Sequence, residues 1–389
     1  MADNKDKKVL NVPALRFPEF SGEWEKCKLG EITLNFNLRN KDRYNYPMFS
    51  VTNNRGFIPQ SEQFEDREMI GEDIKAYKII HKNDFAYNPA RINVGSIAKY
   101  NGDSPCMISS LYVCFKAVMV DSDWLIQLLK TSKMNFYYNV NGEGGVRIYL
   151  FYPNFARIST SYPKIAEQRK IAKFLFLLDE RITTQNKAIE DLKKLKSAIV
   201  DKLYSNVNGT VYSYRQLFEI ANEKNKDLAF TNVLSASQEL GMVERSDMNI
   251  DIKFEQSSII GYKIVRKGDY VVHLRSFQGG FAFSEKTGIC SPAYTILRPN
   301  DLVVYGYLSY YFTSKPFIKS LKLVTYGIRD GRSINVDEWL DMKIVLPNKR
   351  KQSNLLAIIN RIDEKLYNES KVCDCLLRQK SYFLNAMFI

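Results

Sequence analysis

Histidine is nearly absent from this chain of 389 residues, and the two that occur, His81 and His273, stand alone. Histidine metal clusters and most catalytic triads are therefore excluded by composition. The six cysteines form no CxxC pair, so neither a zinc site nor a disulfide framework is predicted. No GxxxxGK[ST] run exists, and no GxGxxG follows a strand-like segment. The usual phosphate-binding loops are therefore excluded. We therefore expect no metal, no cofactor and no catalytic residue.

Long apolar runs are also missing. No segment approaches the roughly 18 apolar residues that a membrane span needs, and the lysine-rich opening Met1–Lys8 has no apolar stretch after it. We expect a cytoplasmic protein with no membrane partner.

Positive charge is in excess, with 56 Lys and Arg against 43 Asp and Glu, a net charge of +13 that is spread about evenly over the two halves. With 45% hydrophobic residues, the chain is too apolar for disorder and long enough for two domains. The basic excess favours a polyanionic partner, although a soluble enzyme of high pI would carry the same charge.

The chain repeats itself. The segment YKIIHKNDF at 77–85 is matched by YKIVRKGDY at 262–270, an offset of 185 residues. Thr131-Ser132-Lys133 is matched by Thr313-Ser314-Lys315 at an offset of 182, and Pro163 and Gln168 are matched by Pro347 and Gln352 at 184. Because the matches are collinear, the sequence indicates a tandem duplication with a period near 184.

Each copy ends in a segment with the heptad pattern of a coiled coil, alternating steps of three and four residues. A helix of about 41 residues would span roughly 60 Å, and a pair of amphipathic core helices is the alternative interpretation. Gln185 and Lys196 interrupt the apolar seam in the first copy, and Glu369 and Lys380 fall at the same two places in the second. Polar seam residues usually fix the alignment of paired helices. The apolar seam positions are Leu175, Leu178, Ile182, Ile189, Leu192, Ile199, Leu203, Ile359, Ile362, Leu366, Leu376 and Phe383.

Short runs rich in Tyr, Phe, Ile and Val precede each heptad segment and are broken by Asn, Asp and Gly, which is typical of a mixed α+β globule with strand content. We predict two such globules separated by two long antiparallel coiled-coil helices, related by pseudo-twofold symmetry. The predicted divisions are an N-terminal segment (1–20), a first globule (21–162), a first long helix (163–205), a second globule (206–346) and a second long helix (347–389).

The residues that flank these divisions resemble a known family. The opening VPALRFPEF at 12–20, then Trp24 and LGEI at 29–32, is similar to the start of specificity subunits of type I restriction-modification systems. The entry into the first helix, PKIAEQRKIA at 163–172 followed by LDERI at 178–182, is similar to the signature that precedes the long helices of that family. The second copy departs from it, with Lys351 where the first has Glu167, but retains RIDEK at 361–365.

The resemblance implies a non-catalytic, DNA-binding subunit of a methyltransferase and endonuclease complex. Its two globules would be target recognition domains, each binding one half of a bipartite, asymmetric site in double-stranded DNA. The two long helices would set the separation of the half-sites and dock two methylation subunits, with restriction subunits joining in the full complex.

We expect DNA contacts from Arg, Lys, Asn, Gln and Ser side chains in predicted loops, because these types hydrogen-bond base edges and phosphates. Arg147 and Arg329 hold equivalent places in the two copies, so we expect them to contact the phosphate backbone that both half-sites share. The candidates are Arg39, Lys41, Arg43, Asn53, Asn54, Arg55, Asn88, Arg91 and Arg147 in the first globule and Gln238, Arg275, Ser276, Gln278, Arg329 and Arg332 in the second.

Two alternative functions remain open from the residues. Asn88-Pro89-Ala90-Arg91 begins like the Asn-Pro-Pro-aromatic loop of a stand-alone adenine-specific DNA methyltransferase, but lacks the second proline and the aromatic residue. A coiled-coil scaffold that never binds DNA would also explain the heptads and the repeat, but would leave the arginine-rich globules without a role.

Overall fold

The computed structural model describes residues 10–63, 74–145, 147–237, 240–245, 256–273, 280–326 and 333–389. The chain divides into two compact units. The first unit consists of Met1–Asn186 and Val372–Ile389, and the second consists of Lys187–Lys371. The division passes through both long helices, so each unit holds one of the predicted globules together with part of each helix. The two units have equivalent sheets, and the long helix of each copy begins in the same way.

The first unit alternates short strands with short helices before its long helix begins. Its strands are β1 (Glu25–Lys28), β2 (Thr33–Phe36), β3 (Phe49–Thr52), β4 (Gly56–Pro59), β5 (Lys78–Ile80), β6 (Phe85–Tyr87), β7 (Ile97–Lys99), β8 (Cys106–Ile108), β9 (Val113–Ala117) and β10 (Ser159–Tyr162). Its helices are α1 (Leu29–Ile32), α2 (Gln60–Gln63), α3 (Ser122–Leu129), α4 (Ser132–Asn141), α5 (Tyr152–Arg157) and the first part of α6 (Ile165–Ser205).

The second unit follows the same plan. Its strands are β11 (Thr210–Ser213), β12 (Phe218–Ala221), β13 (Leu234–Ser237), β14 (Gly241–Glu244), β15 (Lys263–Val265), β16 (Tyr270–Val272), β17 (Phe281–Phe283), β18 (Gly288–Cys290), β19 (Thr295–Pro299), β20 (Thr325–Tyr326), β21 (Ser333–Ile334) and β22 (Lys343–Leu346). Its helices are α7 (Tyr307–Tyr311), α8 (Lys315–Leu321), α9 (Val336–Asp341) and the first part of α10 (Lys349–Ala386), whose end belongs to the first unit.

Both units contain a four-stranded antiparallel sheet with equivalent strand order, β2-β9-β6-β7 in the first and β12-β19-β16-β17 in the second. Every residue of β6 is buried: Phe85 and Tyr87 join one apolar cluster, and Ala86 joins another. Because successive side chains point to opposite faces of a strand, the sheet has core on both faces, which explains why such strands are continuous apolar runs. The predicted mixed helix and strand class is confirmed.

A buried glutamine fixes the start of each long helix. Gln168 donates from Nε2 to the carbonyl of Pro163 at 2.7 Å, and its Oε1 accepts from the backbone N–H of Asp121 at 2.7 Å. Gln352 repeats this arrangement, donating to the carbonyl of Pro347 at 2.8 Å and accepting from a backbone N–H at 2.8 Å. Both glutamines are 1% exposed. The Pro and Gln of the repeated signature therefore join each globule to its helix.

The residue before this glutamine differs between the copies, and in the first unit it is Glu167. Glu167 is buried and accepts a bidentate pair of hydrogen bonds from Arg16, at 2.8 and 2.7 Å. Trp24 donates to the same carboxylate at 3.4 Å. Arg16 comes from the N-terminal segment that precedes the first globule, and in the second copy Lys351 stands at the place of Glu167.

The two long helices pair in antiparallel fashion within each unit. In the first unit, Lys380 Nζ donates to Asp179 Oδ1 at 2.5 Å, and the rings of Phe174 and Phe383 meet edge to face at 4.8 Å. In the second unit, Lys196 Nζ donates to Asp363 Oδ1 at 2.5 Å. The lysines at the repeated polar seam positions thus contact aspartates that are themselves repeat equivalents.

The predicted apolar seam lies on the less exposed face of each helix. Leu175, Ile182, Ile359 and Leu376 are buried. The half-buried seam residues are Leu178, Ile189, Leu192, Ile199, Leu203, Ile362, Leu366 and Phe383.

Toward the end of α6, burial moves one position past the heptad, to Val200 and Tyr204. An α-helix has 3.6 residues per turn, so a strict seven-residue repeat drifts around its surface over a long helix. The seam positions Ile199 and Leu203 are accordingly only half-buried there.

Replacing Ile182 with Asp should place an unpaired charge where the side chain is 8% exposed. We expect the free energy of unfolding to fall by about 3–5 kcal/mol, as measured by urea denaturation. Thr184→Asp is the matched control, because Thr184 is exposed two residues away on the same helix. Equal effects of the two changes would show that the face carrying Ile182 does not stabilise the helix pair.

Candidate nucleic-acid interface

Three of the nominated residues form the tip of the β3–β4 hairpin. Thr52 pairs with Gly56, which leaves Asn53, Asn54 and Arg55 as a three-residue loop, and all three are exposed. Gly56 has a φ of +66°, the left-handed conformation that closes such loops. The Thr52 hydroxyl accepts from the N–H of Arg55 at 3.2 Å and donates to the carbonyl of Gly56 at 3.1 Å. The hairpin therefore presents its polar tip in a fixed conformation.

The fold brings this tip beside a second nominated group, Asn88 and Arg91. Both line an open cavity of about 470 Å³ together with residues 52–55. Ser96 donates from Oγ to the carbonyl of Val51 at 2.8 Å, which ties the two loops together. Five of the candidate residues thus share one concave surface, although the hairpin tip and the pair of Asn88 and Arg91 are more than 30 residues apart in the chain.

The Asn88 side chain helps to shape its own turn. Its Oδ1 accepts from the N–H of Ala90 at 3.0 Å, while its carbonyl accepts from the N–H of Arg91 at 3.0 Å. An Asn-Pro turn closed in this way is a common loop structure. The arginine at the place of the missing aromatic residue is exposed and faces the shared cavity.

Arg147 lies in a neighbouring loop outside that cavity. Glu143 and Tyr149 exchange backbone hydrogen bonds of 2.9 and 2.8 Å at the base of the loop, and the N–H of Leu150 donates to the carbonyl of Pro89 at 2.9 Å. Arg147 is exposed. The loop is therefore attached to the turn that carries Asn88, and its arginine is accessible to a ligand.

The remaining candidates of the first unit, Arg39, Lys41 and Arg43, are exposed around a separate turn and do not line the shared cavity. The buried side chain of Asn40 closes this turn, donating to the carbonyl of Tyr44 at 2.8 Å and accepting from its N–H at 2.9 Å. Arg43 takes a positive φ of 58°.

The second unit has a hairpin equivalent to β3–β4. In β13–β14, Ser237 pairs with Gly241, whose φ is +72°. Arg245 donates to Ser235 Oγ at 2.9 Å, as Gln60 does to Ser50 in the first unit at 3.2 Å. The candidates of this unit lie outside the described residues: Gln238, Arg275, Ser276, Gln278, Arg329 and Arg332.

Two further residues of interest, Asn225 and Lys130, were not predicted from the sequence. Asn225 lies 185 residues after Asn40 and closes its turn in the same way, by hydrogen bonds with Phe230, so the repeat offset could have found this pair. Lys130 lines two cavities of the first unit. No sequence signal distinguished it, because it follows the apolar helix α3 and only folding brings it into these two cavities.

Groups of His, Cys, Asp and Glu suited to a metal ion are absent from the described residues. Within the same ranges, no helix has the length and apolarity to cross a membrane.

No family model matches the chain. A curated relative, described as a putative type I restriction enzyme MjaX specificity subunit of Methanocaldococcus jannaschii, is 21% identical over 424 aligned positions, covering 98% of this chain and 96% of the relative. The chain resembles a type I specificity subunit over its whole length. The resemblance predicted from the repeated signature is thereby confirmed.

Solved structures agree at the level of the fold. A chain from a solved structure that concerns complex assembly and conformational transition of the type I R-M system aligns with a TM-score of 0.61 and 15% identity, over 93% of this chain and 96% of that one. The type I S subunit from M. genitalium aligns with a TM-score of 0.53 and 13% identity, over 97% and 99%. This chain therefore shares the architecture of type I specificity subunits.

The close approach of the β13–β14 hairpin to Phe283 can be tested by replacing Gly241. A Cβ added to Gly241 would lie 2.5 Å from the carbonyl oxygen of Phe283, whereas one added to Gly22, which also has a positive φ, would meet no atom within 4 Å. Gly22→Ala should lower the free energy of unfolding by about 1–2 kcal/mol, the cost of a left-handed residue, and Gly241→Ala by more. Urea denaturation measures both, and equal losses would mean that the hairpin accommodates a side chain at this position.

Proposed function

We propose that this chain is the DNA-specificity subunit of a type I restriction-modification complex and catalyses no reaction itself. The observation that carries the proposal is the duplication: two globules share one sheet order, and each leads through a buried glutamine into a long helix. The full-length likeness to a specificity subunit supports it independently. A stand-alone methyltransferase accounts for neither the paired globules nor that likeness, and a scaffold that never binds DNA accounts for the repeat but not for that likeness.

Each globule, 21–162 and 206–346, binds one half of a bipartite DNA site in this proposal. The residues that follow β3 and β13 differ in sequence between the copies, NNR at 53–55 in one and QEL at 238–240 in the other. Because base edges are distinguished by the donors and acceptors that side chains present, the two half-sites should differ in sequence. The net charge of +13 supports a polyanionic ligand.

The paired helices set the separation of the half-sites and dock two methylation subunits, and restriction subunits join the complete assembly in the cytoplasm. Exposed apolar residues on the helices, such as Phe176, Leu177 and Tyr367, give them a surface for protein contact. Phe176 is 55% exposed and Tyr367 is 59% exposed.

Exchange of residues 206–346 for the same region of another specificity subunit tests the modular arrangement. We expect the methylated site of the assembled enzyme to change in one half only, as mapped by methylome sequencing, because each globule has its own core. The reciprocal exchange of 21–162 should change the other half, and the chain without methylation subunits should transfer no methyl group. Changes in both half-sites after either exchange would contradict two independent recognition domains.

Arg147 is expected to contact phosphate. Arg147→Ala should weaken binding to cognate and unrelated duplexes by similar factors and lower the slope of log K against log salt by about one. Fluorescence anisotropy at a series of salt concentrations measures both quantities. Arg157→Ala is the matched control, since Arg157 is also exposed in the first unit but is not among the predicted DNA contacts. Loss of discrimination at one base position instead would assign Arg147 to base recognition.

A further inference from the structure

The first unit contains a second concave surface, a cleft of about 710 Å³ that begins at Asn53 and Asn54 of the hairpin tip. Lys130, at the end of α3, and Lys380 of α10 also line it. Asn, Ser and Thr side chains make up most of the remaining polar lining, and the described lining residues include no carboxylate. The cleft therefore offers two cations and many hydrogen-bond donors to a ligand.

The positive charge in this cleft is only partly neutralised. Lys380 donates to Asp179 at 2.5 Å, whereas the Lys130 ammonium has no hydrogen bond or ion pair among the described residues. Desolvation by the cleft walls and the nearby Lys380 lower the pKa of Lys130, although Asp179 opposes them. Two ammonium groups thus share one carboxylate, and a bound anion would balance the excess charge.

In the second unit, no additional lysine stands at the place that corresponds to Lys130. Its C-cap residue corresponding to Lys130 is the buried Phe312, which precedes the same Thr-Ser-Lys sequence. Tyr310 covers the equivalent ion pair: its hydroxyl donates to Asp363 Oδ2 at 2.6 Å, and Lys196 Nζ lies 4.8 Å from its ring centroid. In the second unit, an aromatic ring therefore covers the ion pair. In the first unit, the ion pair lies beside a polar cleft that contains an additional lysine.

We propose that Lys130 and Lys380 form a phosphate-binding site in the first unit, and that its ligand is a backbone phosphate of the DNA strand that passes the β3–β4 hairpin. This inference rests on the proposed DNA-binding function. DNA is the source of phosphate that the geometry favours, because Asn53 and Asn54 line both this cleft and the cavity of Asn88 and Arg91. A strand that reaches the hairpin tip thus lies beside the two lysines.

The test uses the full chain, fluorescein-labelled duplexes of mixed sequence and a series of salt concentrations. Lys130→Ala should weaken binding to every duplex by a similar factor, about fivefold near 0.15 M salt, and lower the salt slope by about one, as expected for the loss of one phosphate contact. Lys130→Arg should preserve the slope. Because the ammonium makes no hydrogen bond within the described residues, Lys130→Ala should leave the melting temperature unchanged.

Lys133→Ala is the matched control, since Lys133 is exposed three residues away but does not line the cleft. Wild-type affinity and slope in Lys130→Ala, or an equal loss in Lys133→Ala, would overturn the site while leaving the proposed function intact. Failure of the wild-type chain to bind any duplex would overturn the proposed function and this site with it. Calorimetric titration with inorganic phosphate separates the two sources: saturable binding lost in Lys130→Ala, together with unchanged DNA affinity, would make the ligand a free phosphate and overturn the assignment to DNA.

Discussion

The reciprocal pairing of Lys196 with Asp363 and of Lys380 with Asp179 is the constraint on which the helix alignment depends. Each pair joins a lysine of one repeat to an aspartate of the other, and the residues are equivalents at an offset of 184. Half-exposed ion pairs contribute only about 0–1 kcal/mol each, so apolar packing must stabilise the helices. A one-residue slip would separate both pairs together, which gives the charges a role in specifying register.

Each globule is joined to this helix pair by buried polar contacts, and polar contacts of this kind require a fixed geometry. Gln168 and Gln352 satisfy backbone groups of the preceding proline and of the globule, and losing either would leave buried donors and acceptors without partners. The first copy adds the contacts of Arg16 and Trp24 with Glu167. The duplicated signature is thus a structural joint, to which the first copy adds a contact with the N-terminal segment.

Divergence between the copies is concentrated in loops, while the framework that presents those loops is retained. The left-handed glycines Gly56 and Gly241 close equivalent hairpins, and the three residues before each glycine differ in sequence between the copies. The same contrast distinguishes Lys130, beside an open cleft, from the buried Phe312. A duplicated fold can therefore give its two halves different ligand chemistry without changing the sheet that supports them.

The sequence by itself determined the duplication, the mixed fold class, the long helices and the family resemblance, because these depend on periodicity and on motifs local in the chain. It also identified Asn53, Asn88 and Arg91 as candidates by their chemistry. Only the tertiary structure decided that these side chains share one cavity, that Arg39 lies on a separate turn, and that Lys130 meets Lys380. Such proximities result from packing between segments up to 250 residues apart in the chain, and no local pattern encodes a contact whose partners are set by the fold of everything between them.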